Sequence, residues 1–280
     1  MRLIKLLLRR LLVAFIGIIS VWLIVFVIFD DSERRLPWIL ALGFTYVLAA
    51  YVVLPRAVRM GLKVLQRKSI PGYTVTGDGM PGDPVNMVLI GTAQQLQDAF
   101  AQIGWSTADP LGAASSWRMA RTFVMNESYP TAPFSSLYLF GRRQDVGFQE
   151  PIDDSPRKRH HVRFWALSPE RSSDDVSTAS FWLNTDKPAT DEPVLWVGAA
   201  TRDTGLSLTW ITFQVTHATD SDTNIERDYV IDRLKLGRTI GEVTAHSTGD
   251  RLAGGRVNHY RTDGEIAFAR LLPPGTAVAS

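Results

Sequence analysis

The side chains most capable of chemistry are concentrated between residues 138 and 165 of this 280-residue chain. His160 and His161 are adjacent there, Asp145 precedes them, and His217 follows further along the chain. Imidazole changes its charge near neutral pH, so each histidine is a candidate catalytic acid or base, with Asp145 as a candidate carboxylate partner. Because neighbouring residues of a strand point to opposite faces, His160 and His161 cannot both serve one site.

Arginine side chains in the same stretch form a candidate anion-binding set, which consists of Arg142, Arg143 and Arg163. A guanidinium group binds phosphate or carboxylate through two parallel hydrogen bonds. The alternative is internal ion pairing, either between Arg142 and Asp145 or across neighbouring strands. We favour the alternative, since acidic residues are interleaved with the arginines.

His217 is also a candidate metal ligand, because Asp220 and Asp222 follow it closely. A set of two histidines and an aspartate would suit a first-row metal ion. The chain has no H-x-H or H-E-x-x-H spacing, which favours hydrogen-bonded or solvated histidines instead. The acids also resemble the start of a calcium loop, but Ile225 and Ile231 stand where that loop requires Gly and Glu. The sequence therefore assigns no cofactor.

Composition excludes several classes of protein. The chain has no cysteine, so disulfides, zinc–thiolate sites and thiol nucleophiles are excluded. It also has no G-x-S-x-G elbow and no P-loop. Residues 1–71 carry eleven Lys/Arg and three Asp/Glu, which leaves nineteen and twenty-five for the remainder. Because the larger part is mildly acidic, we expect no nucleic-acid partner.

Two uncharged stretches of nineteen residues each, 11–29 and 36–54, precede this region. Nineteen helical residues span roughly the ~30 Å hydrocarbon core of a bilayer, so residues 1–68 are predicted to form a transmembrane hairpin. Four Lys/Arg precede the first stretch and five follow the second, whereas the connecting loop has two beside three acids. Positive flanks stay on the cytoplasmic side. We therefore expect a two-pass protein with both termini in the cytoplasm.

Helix start signals occur three times beyond the anchor. Two are capping boxes, in which a hydroxyl residue precedes Gln or Glu by three positions, and one is an Asp-Pro pair. These signals predict helices that begin at Thr92 (with Gln95), at Asp109-Pro110 and at Thr223 (with Glu226).

Short apolar or alternating runs predict the strands. The Gly/Pro-rich segment 69–84 is predicted to be a linker, and the domain is predicted to cover residues 85–275. We interpret 168–193 as a polar surface excursion, and Asp263-Gly264 as a hairpin turn between strands at 257–260 and 266–271. The expected class is α+β, a soluble mixed-sheet domain with helices packed on it. The other predicted strands are 85–90, 137–140 and 146–148 (joined by a turn at 141–144), 161–166, 195–200 and 208–216.

Five strings in this region, in this order, resemble the family named after the C-terminal region of the secretion-system protein LssY. They cover most of residues 85–236, and several are unusual strings. The excursion at 168–193 is longer than the family pattern. The strings are VNMVLIGTAQQLQDAFAQIGWSTADP, YPTAPFSSLYLFGRRQDVGFQEP, DSPRKRHHVRFW, LWVGAATRD and VTHATDSDTNIERD.

The resemblance implies a bacterial membrane protein and supplies no mechanism. Some members resemble fusions to lipid-phosphatase membrane domains, but this chain has no Ser-Gly-His motif and only two predicted membrane helices. The expected function is a binding or accessory module at the bacterial inner membrane. Its expected partners are the lipid bilayer and another membrane protein or a lipid phosphatase. The alternative is a hydrolase acting on a phosphate-bearing or lipid substrate through the histidines and arginines above.

Overall fold

The computed structural model describes residues 2–65, 70–125, 127–153, 158–167, 192–208, 215–247, 252–253 and 260–273. The predicted excursion at 168–193 and the predicted strand at 257–260 lie almost wholly outside the described residues. Within the described residues, an anchor of two long helices leads into a domain of two main sheets, a two-stranded sheet and three further helices.

The anchor helices form an antiparallel pair. The first consists of α1 (Arg2–Trp22), a π-helical segment (Leu23–Phe29) and α2 (Asp30–Arg35). The second consists of α3 (Trp38–Leu48), a π-helical segment (Ala49–Val53) and α4 (Leu54–Leu65). Both are long and apolar enough to cross a membrane. The two predicted apolar helices are therefore confirmed as helices.

The domain elements follow in chain order. The helices are α5 (Ala93–Gln102), α6 (Ala113–Met125) and α7 (Thr223–Leu236). The strands are β1 (Tyr73–Thr76), β2 (Pro81–Pro84), β3 (Met87–Gly91), β4 (Ser106–Thr107), β5 (Leu137–Leu139), β6 (Arg142–Arg143), β7 (Val146–Pro151), β8 (Arg159–Leu167), β9 (Val194–Leu208), β10 (Val215–Thr219), β11 (Thr244–Ser247), β12 (Leu252–Ala253), β13 (Arg261–Thr262) and β14 (Glu265–Arg270).

The larger sheet has the strand order β11-β14-β3-β9-β8-β7-β4, with β10 paired to β9. Its pairs are antiparallel except β14 with β3, which is parallel. Helices α5 and α7 contribute to the main apolar core on one face of this sheet. In that core Phe100 of α5 stacks on Phe148 of β7, with ring centroids 4.2 Å apart. Each fully buried side chain of this size contributes about 1.5–3 kcal/mol.

The smaller sheet, of order β2-β1-β5-β6, covers the other face of the larger one. Leu137 and Leu139 of β5 pack there on Trp165 of β8 and Val197 of β9. The class is therefore α+β with a mixed sheet, as predicted.

The segment predicted to be a linker is folded over most of its length. β1 and β2 form a hairpin whose turn is closed by a hydrogen bond from the Thr76 N–H to the Met80 carbonyl at 2.8 Å, with Gly79 at φ 86°. Gly and Pro mark tight turns as well as linkers, which explains the difference. The hairpin buries Gly82 and Asp83.

Helices α5 and α7 begin where the sequence predicts, although α7 has a different N-cap residue, and α6 begins later than predicted. The capping box of Thr92 and Gln95 is present at α5. At α7 the N-cap is Asp222, whose carboxylate accepts from the Asn224 N–H, while Glu226 makes a different contact described below. At α6 the helix begins only at Ala113, because the Asp109 carboxylate accepts instead from the Tyr129 and Thr131 hydroxyls.

Three strand predictions also need correction. Residues 137–139 and 146–151 do not form one hairpin; β5 turns into β6 in the small sheet through Phe140 and Gly141, both at positive φ, and β7 lies in the large sheet. Residues 209–214 of the predicted strand 208–216 lie outside the described residues, and Leu208 of β9 and Val215 of β10, which flank them, pair antiparallel as members of two strands. β14 pairs with β3 and β11, and β13 pairs with β12, so Asp263-Gly264 does not join a two-stranded hairpin.

Candidate functional site

Strand β8 carries the predicted histidines and divides its side chains between the two faces of the large sheet, as the alternation predicted. Val162, Phe164 and Ala166 enter the helix-covered core, whereas Trp165 enters the core under the small sheet. His160 therefore faces α7, and His161 faces the small sheet.

His161 lies in a polar cluster under the small sheet, which we call the buried cluster. Its hub is Asp83 of β2, whose carboxylate accepts hydrogen bonds from Arg163 Nη1 and, at 2.7 Å, from the Tyr260 hydroxyl. His161 Nε2 lies 2.6 Å from Arg163 Nη1 and 2.8 Å from the Thr201 hydroxyl. Because guanidinium only donates, Nε2 is the acceptor, which assigns the ring proton to Nδ1.

The cluster continues along β8 to Arg159. Arg159 Nε donates to Asp203 Oδ2 at 2.7 Å, and its Nη1 donates to Gln149 Oε1 at 2.5 Å. His161 Nδ1 lies 3.4 Å from Asp203 Oδ1. Two arginines, two aspartates and a histidine therefore form one continuous ionic network across β2, β8 and β9. A neutral His161 leaves its charges balanced.

The Phe134 ring packs against the buried cluster and contacts three of its side chains. The guanidinium carbons of Arg159 and Arg163 each lie 4.8 Å from its ring centroid, and the His161 ring lies at 5.2 Å. Cations at this distance are attracted to the ring face. The ring fits because Gly147 has no side chain, since a Cβ there would lie 2.1 Å from Phe134 Cε2. The segment that carries Phe134 therefore seals the cluster from solvent.

Burial and charge shift the pKa values in the cluster. Burial acts to raise the pKa of Asp83, but the Arg163 charge and the hydrogen bond from the Tyr260 hydroxyl outweigh it and lower that pKa to about 2. Burial and the Asp83 charge raise the pKa of Tyr260 well above its usual range. Burial lowers the pKa of Arg159, against the opposing charge of Asp203. Asp83 is thus ionised and Tyr260 protonated at neutral pH.

The opposite face of β8 carries a second polar group, the His160 pair. His160 Nδ1 lies 2.9 Å from Glu226 Oε2, with the two side chains 18% and 3% exposed. The Tyr229 ring stacks on the imidazole with centroids 4.1 Å apart, and its hydroxyl donates to Glu150 at 2.8 Å. Burial and the hydrogen bond to Glu150 raise the pKa of Tyr229 to about 12. A buried carboxylate on Nδ1 is the arrangement that orients a histidine for proton transfer at Nε2.

The arginines predicted to bind anions are placed in three different surroundings. Arg142 donates to Asp145 Oδ2 and to the Ala166 carbonyl, both at 2.5 Å. Asp145 also accepts from the Ala166 N–H at 2.7 Å. This is the internal ion pair that the sequence offered as the alternative. Arg163 belongs to the buried cluster, and Arg143 stands opposite Tyr138 in the small sheet.

A comparison with protein families identifies the chain. The family model described as LssY C-terminus matches residues 67–266. The chain belongs to this family. No curated protein and no solved structure matches it significantly. The matched residues include the hairpin of β1 and β2, so Asp83 is part of the LssY C-terminal domain.

The remaining candidates of the LssY C-terminal domain lie around the start of α7. His217 is placed in β10 opposite Leu206, and its side chain is outside the described part of the chain. Asp222 caps α7, and Asp220 Oδ1 accepts from the Asp222 N–H at 3.1 Å. Among the residues that the structure describes, no three His, Asp or Glu side chains are grouped as a metal ion requires. The site roles proposed from the sequence stay predictions.

Several residues of these clusters were not predicted from the sequence. The alternation along β8 could have predicted a polar strand face, because Arg159, His161 and Arg163 occupy alternate positions. The residues that contact this face could not have been predicted, since they come from segments that are distant in sequence. The unpredicted residues are Asp83, Thr201, Asp203, Glu226, Tyr229 and Tyr260.

Proposed function

We propose that this LssY C-terminal protein is a membrane-anchored module of the bacterial inner membrane that acts by binding rather than by catalysis. The observation that carries this proposal is the closure of the buried cluster. His161 is 0% exposed and Arg163 5%, and both are paired within the domain. A substrate would have to displace Phe134 and break buried ion pairs to reach them. The cluster instead serves to hold the two sheets together.

The contact between anchor and domain supports a fixed mounting at the bilayer. α4 continues the second apolar helix directly into the domain, where the buried Arg59 donates from Nε to the Gly141 carbonyl at 2.7 Å. Gly77 approaches Pro55, and Gly79 approaches Val58. The small sheet is thus seated on α4. A module seated in this way would present its outer surface to a partner in a constant orientation.

The charge distribution supports a cytoplasmic position for the domain. The first ten residues, at the start of α1, and the length of α4 are basic, whereas the far end of the helical hairpin, residues 30–35, holds the ion pairs Asp30–Arg34 and Asp31–Arg35. Basic flanks remain on the cytoplasmic side of a membrane. The partners we propose are the bilayer itself and another membrane protein, with a lipid phosphatase as one candidate.

A disulfide tests the seating of the domain on its anchor. A Cβ at Gly77 would lie 4.0 Å from Pro55 Cβ, which is within the usual Cβ–Cβ range of a disulfide. The full chain has no cysteine, so Pro55→Cys with Gly77→Cys introduces only this pair. We expect near-complete closure upon mild oxidation in native membranes, detected by peptide mass spectrometry.

The control for this experiment is Pro55→Cys with Gly205→Cys. A Cβ at Gly205 meets no atom within 4 Å, so this pair should remain reduced. Equal yields for both pairs, or no closure of the first pair, would show that the domain is not seated on α4.

A hydrolase is the second candidate function, and the His160 pair is the observation that favours it. Glu226 holds Nδ1, so Nε2 is the nitrogen that could take a proton from water or a hydroxyl. The full chain would be assayed for phosphate release from phosphomonoesters and for fatty-acid release from esters. If the protein is a hydrolase that uses His160, its turnover should fall at least about 100-fold in His160→Gln. The control, His246→Gln, alters an exposed histidine on β11 and should leave the turnover unchanged. Turnover that is absent, or unchanged in His160→Gln, removes this candidate.

A further inference from the structure

Helix α6 presents large apolar side chains to solvent. Trp117 is 76% exposed and Met125 is 63% exposed, and Ala114, Arg118 and Arg121 are exposed beside them. With 3.6 residues per turn, these five side chains lie within about one third of the helix circumference. We call them the basic face, because α6 contains two arginines and no acidic residue.

The other side of α6 is polar, which reverses the usual polarity of a surface helix. Thr122 is buried, and its hydroxyl donates to the Met119 carbonyl at 3.1 Å. Ser115 and Ser116 are less exposed than Trp117. A surface helix normally turns its apolar stripe toward the core, and Trp, Met and Arg are enriched where proteins contact one another. The basic face is therefore suited to a contact with another protein surface.

The outer side of α7 carries a face of the opposite charge. Ile225 is 65% exposed and Leu236 is 80% exposed, and the side chains of Asp228 and Asp232 between them are 63% and 70% exposed. Spacings of three, four and four residues place these four side chains in one line along the helix. We call them the acidic face.

The basic face and the acidic face match in length, order and charge. α6 has 13 residues and α7 has 14. In each face, a pair of like charges lies between exposed apolar side chains. Ion pairs within the chain compete only weakly for these charges, since Arg121 lies 3.7 Å from the exposed Glu127 and Asp232 lies 3.7 Å from the exposed Lys235.

We propose that the basic face of one copy binds the acidic face of a second copy of this chain. The apolar side chains of both faces would leave water, and the two arginines would meet the two aspartates between them. Complementary charge of this kind selects the partner surface and its orientation. One helix pair is smaller than a standard interface of about 1,600 Å², so we expect a weak contact that forms where copies are concentrated.

Cross-linking between two differently tagged copies tests the contact, because the natural chain has no cysteine. One copy carries Ala114→Cys on the basic face. The other carries Ile225→Cys or Lys235→Cys, near the two ends of the acidic face, so that either relative direction of the helices is detected. Membranes that contain both copies would be treated with a short bismaleimide. The control pair replaces the second cysteine with Ala245→Cys, at an exposed position on the edge strand β11.

We expect at least one of the two pairs to give heterodimers at least about fivefold above the control pair, because the matched charges hold the two faces together. A yield equal to that of the control for both pairs would overturn the proposal. The inference does not depend on the proposed anchoring, since the same pairs report contact between copies wherever the chain is recovered.

Charge reversal identifies the surfaces in contact. Arg121→Glu in the first copy should lower the yield at least about threefold, and so should Asp232→Arg in the second, because like charges then face one another. Both side chains are mostly exposed, so both variants should fold. The two reversals together should restore most of the yield. Arg261→Glu in the first copy reverses an exposed charge on β13 and should change the yield less than about twofold.

Two further outcomes would overturn the pairing of copies. One is a yield that neither reversal lowers, or that the double reversal fails to restore. The other is contact of the basic face with the bilayer, which a nitrobenzoxadiazole label on Ala114→Cys would report in vesicles of brominated phospholipid. Quenching of this label beyond that of the same label on Ala245→Cys would assign the basic face to the lipid surface instead.

Discussion

Replacement of the hub of the buried cluster, Asp83→Asn, should destabilise the domain strongly. Asn has nearly the same size, so the change removes charge and leaves no cavity. Arg163 then stays buried without its main counter-charge, and Tyr260 loses a charged acceptor. Breaking a buried ion pair on one side costs about 3–5 kcal/mol. We expect a loss of that size in the free energy of unfolding at pH 7.

The lowered pKa of Asp83 gives a second, independent measure of how much its ionised carboxylate contributes to the free energy of unfolding. Its folded pKa of about 2 lies below the ordinary value of 3.8. A depressed carboxyl pKa contributes stability above the unfolded pKa, and that stability is lost as the pH falls through the folded pKa. A shift of this size corresponds to about 2 kcal/mol. The difference between wild type and Asp83→Asn should therefore shrink by about 2 kcal/mol between pH 5 and pH 2.

Urea unfolding of the detergent-solubilised chain, followed by the fluorescence of its tryptophans, would measure both effects. The control is Asp232→Asn, which alters a carboxylate on α7 with a 70% exposed side chain and should cost less than about 0.5 kcal/mol. Adding Arg163→Met to Asp83→Asn should restore part of the loss, because both charges are then absent. A loss below about 1 kcal/mol in Asp83→Asn, or a difference that does not depend on pH, would refute the ionic network.

Three further predictions concern single contacts. Gly147→Ala should lower the free energy of urea unfolding by about 1–3 kcal/mol, because the new Cβ would displace Phe134; an unchanged unfolding midpoint would contradict the seal. Glu226→Gln should lower the free energy of urea unfolding by about 1–3 kcal/mol, because a neutral amide replaces the buried carboxylate that lies 2.9 Å from His160 Nδ1, and an unchanged unfolding midpoint would contradict the pair. Spectroscopic titration should find Tyr260 protonated at pH 11 as long as the domain stays folded, and ionisation near pH 10 would contradict its burial beside a carboxylate.

Local signals predicted the parts of the fold that depend on neighbouring residues. The uncharged stretches predicted the two anchor helices, and the capping box at Thr92 predicted α5. Alternation along 161–166 predicted that the two histidines lie on opposite faces. Each of these patterns depends only on residues within a single helix or strand. The strand pairing around β14 had no such signal, because its parallel partner β3 is far away in sequence.

Gly/Pro content and a capping-box motif led to assignments that differ from the structure. In both cases the residues concerned make tertiary contacts that local sequence patterns do not show. The 69–84 segment has the composition of a linker, but its turn closes a hairpin that carries Asp83 into the core. Glu226 fits a capping box, but its carboxylate is drawn to His160, so Asp222 caps the helix. The sequence shows that Glu226 is able to accept a hydrogen bond, and only the fold selects the donor.

Locating the domain on one side of the membrane is the most direct test of its proposed role as an anchored cytoplasmic module. The natural chain has no cysteine, so Glu33→Cys in the hairpin end and Gln97→Cys on α5 give one exposed thiol each. Both variants would be treated with a membrane-impermeant maleimide in intact spheroplasts and after lysis. We expect the maleimide to label Glu33→Cys in intact spheroplasts, and to label Gln97→Cys only after lysis. Labelling of Gln97→Cys in intact spheroplasts, or recovery of the chain in the soluble fraction, would contradict this role.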